Sequence, residues 1–240
     1  MEDTQTANDA RLYAIGDIHG RLDLLERVID AIKRDVAKYG DNCRIVTLGD
    51  YIDRGLNSRG VLDRLMGNPF PGPYVALKGN HEALLEKFLV DPDVIEQWRR
   101  LGGLETLYSY GVPVSKLLAG EAYQDAADRF RAALPLEHVK FLQSLKMSFS
   151  NDRYFLCHAG VRPGVPLQQQ SHDDLLWIRE EFLSSPVDFG KIIVHGHTPV
   201  KEPDVRPNRI NIDTGAFATG RLTCVALESR GYRFLKSEGR

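Results

Sequence analysis

Five of the seven histidines lie at, or within two residues of, the ends of apolar runs, and this clustering calls for a chemical explanation. They are His19, His81, His158, His195 and His197. Asp17, Asp50 and Asn80 each follow an apolar run and a glycine. Carboxylates, an amide oxygen and imidazoles form the donor set that borderline divalent ions such as Mn, Fe or Zn accept. The pattern therefore predicts a metal site, and the number of donors predicts two ions.

The elements that must position these side chains alternate between strand and helix. Three apolar runs end in Gly-Asp or Gly-Asn, which predicts buried strands followed by turns. They span residues 12–15, 45–48 and 74–78. Apolar residues repeat with helical spacing from 22 to 36, which predicts a helix that extends to Gly40. The segment 58–66 is predicted to form a shorter helix. Strand–helix–strand units form parallel sheets whose functional groups gather at the carboxyl ends of the strands, so Asp17, Asp50 and Asn80 should converge.

The rest of the chain shows two kinds of sequence pattern. Residues 91–145 carry helical patterning and predict a helical insert, and short apolar runs after residue 147 predict a second sheet. The runs are 154–157, 192–194, 209–212, 223–227 and 232–235. The pattern favours an α/β architecture, a two-sheet sandwich flanked by helices in α/β/β/α order. We expect one domain over 10–240 after a flexible tail at 1–9.

Composition and charge exclude several classes of protein. The chain of 240 residues is 42% hydrophobic and 27% charged, which is typical of a folded protein with a sizeable core. Its net charge of −2, without a Lys/Arg run, argues against nucleic acid as a partner. The longest uncharged stretch, 65–77, is shorter than the roughly 20 residues of a membrane span. We expect a cytoplasmic monomer, with Cys43, Cys157 and Cys224 as reduced, buried thiols.

Five short motifs carry a family resemblance. They are Gly-Asp-Ile-His-Gly at 16–20, Gly-Asp-Tyr-Ile-Asp-Arg-Gly at 49–55, Gly-Asn-His-Glu at 79–82, His-Ala-Gly at 158–160 and Gly-His-Thr at 196–198. In order and spacing they resemble the phosphoprotein phosphatase family within the calcineurin-like metallophosphoesterases. Ile-Asp-Thr-Gly-Ala at 212–216 extends the likeness to the compact bacterial and lambda-phage serine/threonine phosphatases.

The resemblance implies a ligand for each position of a two-metal site. The implied ligands are Asp17 and His19 for the first ion, Asp50 as the bridge, and Asn80, His158 and His197 for the second. Manganese is the expected metal, with iron and zinc as alternatives. Because bound divalent ions lower the pKa of water toward about 7, a bridging hydroxide can attack phosphorus directly near neutral pH.

The resemblance also implies four catalytic residues. His81 protonates the leaving group, Asp53 hydrogen-bonds to His81, and Arg54 and Arg179 bind phosphate oxygens. The implied activity is hydrolysis of phosphomonoesters, chiefly phosphoserine and phosphothreonine in proteins or peptides, with small phosphoesters as further substrates. One alternative is hydrolysis of dinucleoside polyphosphates, by enzymes that usually have Asp where Glu82 stands. Another is a catalytically silent phosphate-binding scaffold.

Most of these residues also have an ordinary structural interpretation. Asp17, Asp50 and Asn80 can cap helices, which is the common role of Asp and Asn at a strand-to-helix turn. Asp53 and Arg54 can form a surface ion pair.

Three further positions need an interpretation of their own. His158 can be a buried histidine of the core. His195 is expected to support the metal ligands or the fold rather than to bind a metal directly, because the second metal-binding histidine expected two residues after His197 is replaced by Pro199. The Asp-Pro-Asp sequence at 91–93 is expected to end one helix and cap the next.

Overall fold

The computed structural model describes residues 10–120, 122–228 and 231–235. Within these residues the chain forms ten strands and eleven α-helices, arranged as two five-stranded sheets with helices outside them. The predicted two-sheet α/β sandwich is therefore confirmed. Residues 1–9, predicted to be a flexible tail, and residues 236–240 lie outside the described residues.

The strands are short and follow the order of the chain. They are β1 (Arg11–Ile15), β2 (Cys43–Thr47), β3 (Tyr74–Ala76), β4 (Ser148–Ser150), β5 (Tyr154–Cys157), β6 (Ile192–His195), β7 (Asp204–Val205), β8 (Arg209–Asn211), β9 (Cys224–Glu228) and β10 (Gly231–Phe234). The first sheet has the order β10-β9-β1-β2-β3 and the second β4-β5-β6-β8-β7. In each sheet three neighbouring strands run parallel, β1-β2-β3 and β5-β6-β8.

The helices lie mainly between these strands or after β3. They are α1 (Leu22–Tyr39), α2 (Ser58–Met66), α3 (Asn80–Val90), α4 (Ile95–Trp98), α5 (Gly103–Ser109), α6 (Ser115–Leu118), α7 (Tyr123–Ala133), α8 (Leu136–Ser144), α9 (His172–Trp177), α10 (Glu180–Leu183) and α11 (Ala216–Thr219). Among the helices of the described residues, none has the length and apolar character that a membrane span needs.

The prediction that residues 223–227 and 232–235 belong to the second sheet is wrong. Strand β9 pairs antiparallel with β1, and β10 pairs with β9, so both extend the first sheet. Val225 on β9 faces the core between the sheets, whereas Cys224 faces the helices. A run buried on both faces reads as a central strand but does not encode which strand lies beside it. The edge strands β4 and β7 were not predicted at all.

Alternation along the strands divides the core into layers. On β1, Leu12 and Ala14 pack between the two sheets, and Tyr13 and Ile15 pack under the helices of the first sheet. Burying each large apolar side chain stabilises the fold by about 1.5–3 kcal/mol. The second sheet is covered on its outer face by α9 and α10, whose Leu175 and Phe182 belong to a third apolar cluster. This layering fixes the two sheets so that their strand ends meet.

Helices α4 to α8 occupy the segment that was predicted to be a helical insert. Their buried aromatic rings pack with Phe88 of α3: Trp98 lies 5.0 Å from it and Phe130 6.3 Å, measured between ring centroids. Tyr110 contacts Phe130 edge-on at 5.2 Å. This segment is thus joined to the first sheet through α3. The three cysteines are free and buried, as predicted.

Candidate metal centre

The predicted site residues come together where the parallel strands of both sheets end. Asp17 and His19 follow β1, Asp50 follows β2, and Asn80 is the first residue of α3 after β3. The second sheet contributes its residues from the same kind of position: His158 follows β5 directly, and His197 lies two residues beyond β6. The structure therefore brings together side chains up to 180 residues apart in the sequence, such as Asp17 and His197.

The backbone at this edge adopts conformations that side-chain-bearing residues rarely take. Seven described residues other than glycine have a positive φ between 42° and 72°, and five of them were predicted to be site residues. The five are His19, Asp50, Asp53, Arg54 and His197. Such conformations cost about 1–3 kcal/mol each, and they persist where the surrounding structure holds them. Strain concentrated at one edge is typical of a functional site.

Two loops approach each other closely below the site. Gly49 has a φ of +102°, and a Cβ there would lie 2.4 Å from the backbone nitrogen of Gly79, so only glycine fits. The buried carboxylate of Glu82 joins the same loops, because it accepts the N–H groups of Asp50, Tyr51 and Gly79 at 2.8–2.9 Å. These contacts fix the position of Asp50 relative to α3.

Asp50 lies between two groups of side chains that could hold a metal ion. Its Oδ2 is 3.5 Å from His19 Nε2, and its Oδ1 is 3.5 Å from His158 Nε2. Asn80 Oδ1 lies 2.8 Å from both His158 Nε2 and His197 Nδ1. One carboxylate oxygen toward each group is the arrangement that a bridging ligand requires.

The imidazoles of His19 and His158 are oriented by hydrogen bonds, as is typical of histidines that bind metals. His19 Nδ1 lies 2.9 Å from the carbonyl of Ile52, and His158 Nδ1 lies 3.0 Å from that of Leu48, which leaves both Nε2 atoms free to face Asp50. Burial lowers the pKa of His19 to about 3, and burial also lowers the pKa of His158. The imidazoles are therefore neutral, which is the form that binds a cation.

The carboxylates also fit a cation. Asp17 Oδ1 is buried and has no hydrogen-bond partner within the part of the chain that the structure describes, and Oδ2 accepts the N–H of His197 at 3.0 Å. Burial, together with the negative charges of Asp213 and Asp50, raises the pKa of Asp17 well above its usual range. A cation would compensate both the unpaired oxygen and the repulsion. The residues present thus fit a divalent metal at this edge.

A histidine–carboxylate pair lies among the donor atoms, because His81 forms with His19 and Asp50 one of the groups of side chains that could hold a metal ion. His81 Nδ1 is 2.6 Å from Asp53 Oδ2, and His81 Nε2 faces Asp50 Oδ2 at 3.7 Å. Burial lowers the pKa of His81, but the negative charges of Asp50 and Asp53 more than offset this and raise it to about 9. These charges favour the protonated form of His81, whose Nε2 faces the site.

The two predicted phosphate-binding arginines reach the site from opposite sheets. Arg54, partly buried, lies 3.5 Å from His81 Nε2 through Nη2, and its guanidinium covers the ring of Phe217 at 4.7 Å. Arg179 is exposed, and its Nε donates to His197 Nε2 at 3.1 Å. Both guanidinium groups have further donors available for an anion.

The structural alternatives for the acidic residues do not hold. The N-caps of α1, α2 and α3 are Arg21, Asn57 and Gly79, so Asp17, Asp50 and Asn80 cap none of these helices. Asp53 is fully buried and hydrogen-bonds to His81. It is not part of a surface ion pair with Arg54.

Two positions that were predicted to be structural have structural contacts. His195 packs edge-on against Phe182 at 4.9 Å, and its Nδ1 lies 3.1 Å from the carbonyl of Gly196. Among the described residues, it belongs to neither group of side chains that could hold a metal ion. Asp91 follows the last residue of α3, and its Oδ1 accepts the N–H of Asp93 at 3.1 Å.

Sequence patterns missed four residues at this site. Trp98 and Thr106 hydrogen-bond to Asp53, Phe217 lies against Arg54, and Asp213 is buried within the electrostatic reach of Asp17. Phe217 and Asp213 lie in or next to the Ile-Asp-Thr-Gly-Ala motif, which could have drawn attention to them. No motif surrounds Trp98.

Comparisons with known proteins give the family and the fold. The model of the family described as calcineurin-like phosphoesterase matches residues 10–225. Bis(5'-nucleosyl)-tetraphosphatase PrpE (asymmetrical) of Anoxybacillus flavithermus is 25% identical over 88% of this chain and 88% of its own. Serine/threonine-protein phosphatase 2 of Salmonella typhimurium is 27% identical over 88% of this chain and 90% of its own. A protein serine/threonine phosphatase from Saccharomyces cerevisiae shares the fold, with a TM-score of 0.53 and 14% identity over 99% of this chain and 83% of that one.

Proposed function

Because the chain belongs to the calcineurin-like phosphoesterase family, we propose that it is a metal-dependent phosphatase acting on phosphoserine and phosphothreonine in proteins. The observation that carries this proposal is the buried Asp53–His81 pair, with a 2.6 Å hydrogen bond beside the predicted metal ligands. A serine or threonine alkoxide is a strong base, and its departure needs a proton donor. Release of a nucleotide from a phosphoanhydride depends less on a proton donor, because the departing phosphate group is a weak base.

Each predicted residue has a task that matches its surroundings. Two divalent ions, for which manganese is our proposal, would acidify a water molecule and attract the phosphate dianion when held by the six predicted ligands. Arg54 and Arg179 hold phosphate oxygens with planar, bidentate donors. His81 gives its Nε2 proton to the leaving oxygen, while Asp53 keeps the ring oriented through Nδ1.

A second candidate is the hydrolysis of dinucleoside tetraphosphates. It is favoured by the named activity of relatives such as the PrpE protein above. Glu82 does not argue against it, because its carboxylate is fully buried and is bound by backbone N–H groups, so it does not face a substrate. The partly exposed ring of Phe217 beside Arg54 offers a flat surface for a base.

Substrate competition separates the two candidates. We expect kcat/KM for a phosphothreonine peptide to exceed that for diadenosine tetraphosphate by at least about 10-fold with manganese present. A preference of that size for the dinucleotide would overturn the protein-phosphatase proposal and leave the phosphoesterase activity in place. Phe217→Leu keeps an apolar side chain but removes the ring, and should weaken binding of the dinucleotide more than that of the peptide.

A simpler assay tests whether the site catalyses at all. The purified protein should contain about two metal equivalents per chain and should hydrolyse p-nitrophenyl phosphate with manganese but not after chelation. A protein that binds two ions and phosphate yet shows no turnover would be the silent scaffold. Comparing manganese, iron and zinc in the same assay tests the proposed metal.

A further inference from the structure

The helical segment after α3 contacts the acid–base pair directly. Trp98, on α4, donates its indole N–H to Asp53 Oδ2 at 2.7 Å. Thr106, on α5, donates its hydroxyl to Asp53 Oδ1 at 2.6 Å. All three side chains are completely buried. Both oxygens of Asp53 are therefore bound from this segment, in addition to the bond with His81.

The same segment also holds the backbone of the loop that carries Asp53. The N–H of Asp53 lies 2.9 Å from Thr106 Oγ1 and 3.0 Å from Ser58 Oγ. The N–H of Arg54 donates to the carbonyl of Gly102 at 3.1 Å. Gly102 has a φ of +100°, and a Cβ there would lie 2.6 Å from Arg54 N, so the two chains touch backbone to backbone. Asp53 and Arg54, both with positive φ, thus depend on contacts from outside their loop.

We propose that Trp98 and Thr106 are positioning residues for proton transfer to the leaving group: they fix the Asp53 carboxylate that orients His81. This inference rests on the function proposed above. It gives the helical segment a role in the reaction, because that segment supplies two of the three side-chain donors that Asp53 has among the described residues.

Geometry explains why two donors are needed. A carboxylate with only His81 as partner could rotate about χ2 and present either oxygen, and the imidazole would follow it. The indole N–H and the threonine hydroxyl each hold one oxygen, so Oδ2 remains the atom that faces His81 Nδ1. Buried, charge-assisted hydrogen bonds of this kind are strong and directional.

One substitution at each position removes the hydrogen-bond donor and keeps a side chain of related type. Trp98→Phe keeps an aromatic ring but lacks the N–H, and Thr106→Val is nearly isosteric but lacks the hydroxyl. We expect each to lower kcat for a phosphothreonine peptide by about 10-fold or more, because general acid catalysis contributes about 10²–10⁴-fold. Turnover of p-nitrophenyl phosphate, whose leaving group is weakly basic, should fall by less than about 3-fold, and KM for both substrates should stay unchanged.

Three controls separate positioning from general loss of structure. His81→Asn should show the same dependence on the leaving group. Thr106→Ser keeps the hydroxyl and should restore peptide turnover. Tyr110→Phe removes a buried hydrogen bond to His138 from the same helical segment, 2.6 Å long, and should change turnover of the two substrates equally or not at all.

A measurement on metal-free protein tests the hydrogen bond without activity. The chain has two tryptophans, so comparison with Trp98→Phe assigns the indole N–H signal of Trp98 in an NMR spectrum. That proton should exchange slowly with solvent, and its signal should shift in Asp53→Asn while the Trp177 signal stays in place. If the Trp98 indole proton exchanges rapidly and its signal does not shift in Asp53→Asn, the inference is overturned.

The outcomes distinguish this inference from the proposed function. Suppose that the wild type is active and that His81→Asn shows the leaving-group effect. If Trp98→Phe and Thr106→Val then lower the turnover of both substrates equally, or of neither, the positioning role is wrong and the proposed function remains. If wild type with manganese hydrolyses neither substrate, the proposed function fails, and the proposed role of Trp98 and Thr106 fails with it.

Discussion

Two carboxylate–histidine pairs lie on the helical side of the first sheet, and they differ in what surrounds them. In one, His81 Nδ1 bonds Asp53 at 2.6 Å; in the other, His138 Nε2 bonds Asp63 at 2.8 Å. Both imidazoles are buried. Each pair is also hydrogen-bonded by a buried aromatic side chain, Trp98 at Asp53 and Tyr110 at His138. By residue type alone the two pairs are equivalent.

The difference lies in the second imidazole nitrogen and in the exposure of the carboxylate. His81 Nε2 faces Asp50 and the predicted metal ligands, whereas His138 Nδ1 is bound by the hydroxyl of Tyr110 at 2.6 Å. Asp53 is fully buried, but the side chain of Asp63 is 54% exposed. A histidine with both nitrogens bound inside the protein can stabilise the fold but has no proton to offer a substrate. The comparison predicts that one pair affects activity and the other stability.

The largest effect should come from the group that the first pair faces. Asp50→Asn replaces the carboxylate that we propose as the metal bridge, placed 3.5 Å from His19 and from His158, by a neutral amide. We expect metal content to fall from two equivalents to one or fewer and turnover of p-nitrophenyl phosphate to fall at least ~10³-fold. Elemental analysis and steady-state kinetics check this. A variant that keeps two ions would remove Asp50 from the role of bridge.

The two histidines should respond in opposite ways to the same substitution. His81→Asn should lower peptide turnover by about 10²-fold or more with metal content unchanged, because it removes only the proton donor. His138→Asn should leave kcat within about 2-fold but lower the free energy of unfolding by about 1–3 kcal/mol, since Tyr110 loses its buried partner. Denaturant titration and kinetics on both variants make the test. Equal losses of activity in the two variants would mean that His81 is not the proton donor that distinguishes the first pair.

The buried carboxylate of Asp35 offers a contrast, because its partner is a permanent cation. Asp35 accepts two hydrogen bonds from Arg233, at 2.5 and 2.6 Å, and one from Tyr13. Burial opposes ionisation, but these bonds outweigh it and lower the pKa of Asp35. Its stabilisation is therefore present above the unfolded-state pKa of about 3.9 and is lost as the pH falls through the lower folded value.

Asp35→Asn tests this in two ways. At neutral pH it should reduce the free energy of unfolding by about 1–3 kcal/mol, with activity unchanged. Below about pH 4, stability of the wild type should fall more steeply than that of the variant, because only the wild type has this carboxylate to protonate. Parallel pH profiles of Tm would show that Asp35 contributes no such linkage.

The sequence was sufficient for the parts of the site that follow strand ends. Gly-Asp and Gly-Asn after apolar runs predicted where Asp17, Asp50 and Asn80 meet, because parallel strands end at one edge. The same reasoning assigned β9 and β10 to the wrong sheet, since apolar character predicts a strand but not its neighbour. The short strand β7, with two residues, is below the length at which alternation can be detected.

The contacts of Asp53 could not be predicted in this way. Trp98 and Thr106 lie 45 and 53 residues after it, on short helices whose aromatic residues read as ordinary core. Their hydrogen bonds depend on how α4 and α5 pack against the loop after β2, which periodicity does not encode. Residues in motifs that directly follow strands were predictable. Residues that hold them in place through the packing of distant helices were not.

The smallest effect should come from Asp63, and it is the most exacting test of the comparison. Because its carboxylate is half exposed, Asp63→Asn should change the free energy of unfolding by less than about 1 kcal/mol and should leave turnover of both substrates unchanged. The two pairs are nevertheless joined by α2, which carries Asp63 and begins at Ser58, whose hydroxyl lies 3.0 Å from the N–H of Asp53. A selective loss of peptide turnover in Asp63→Asn would therefore mean that strain passes along α2 to the proton donor, and that the second pair is not independent of the first.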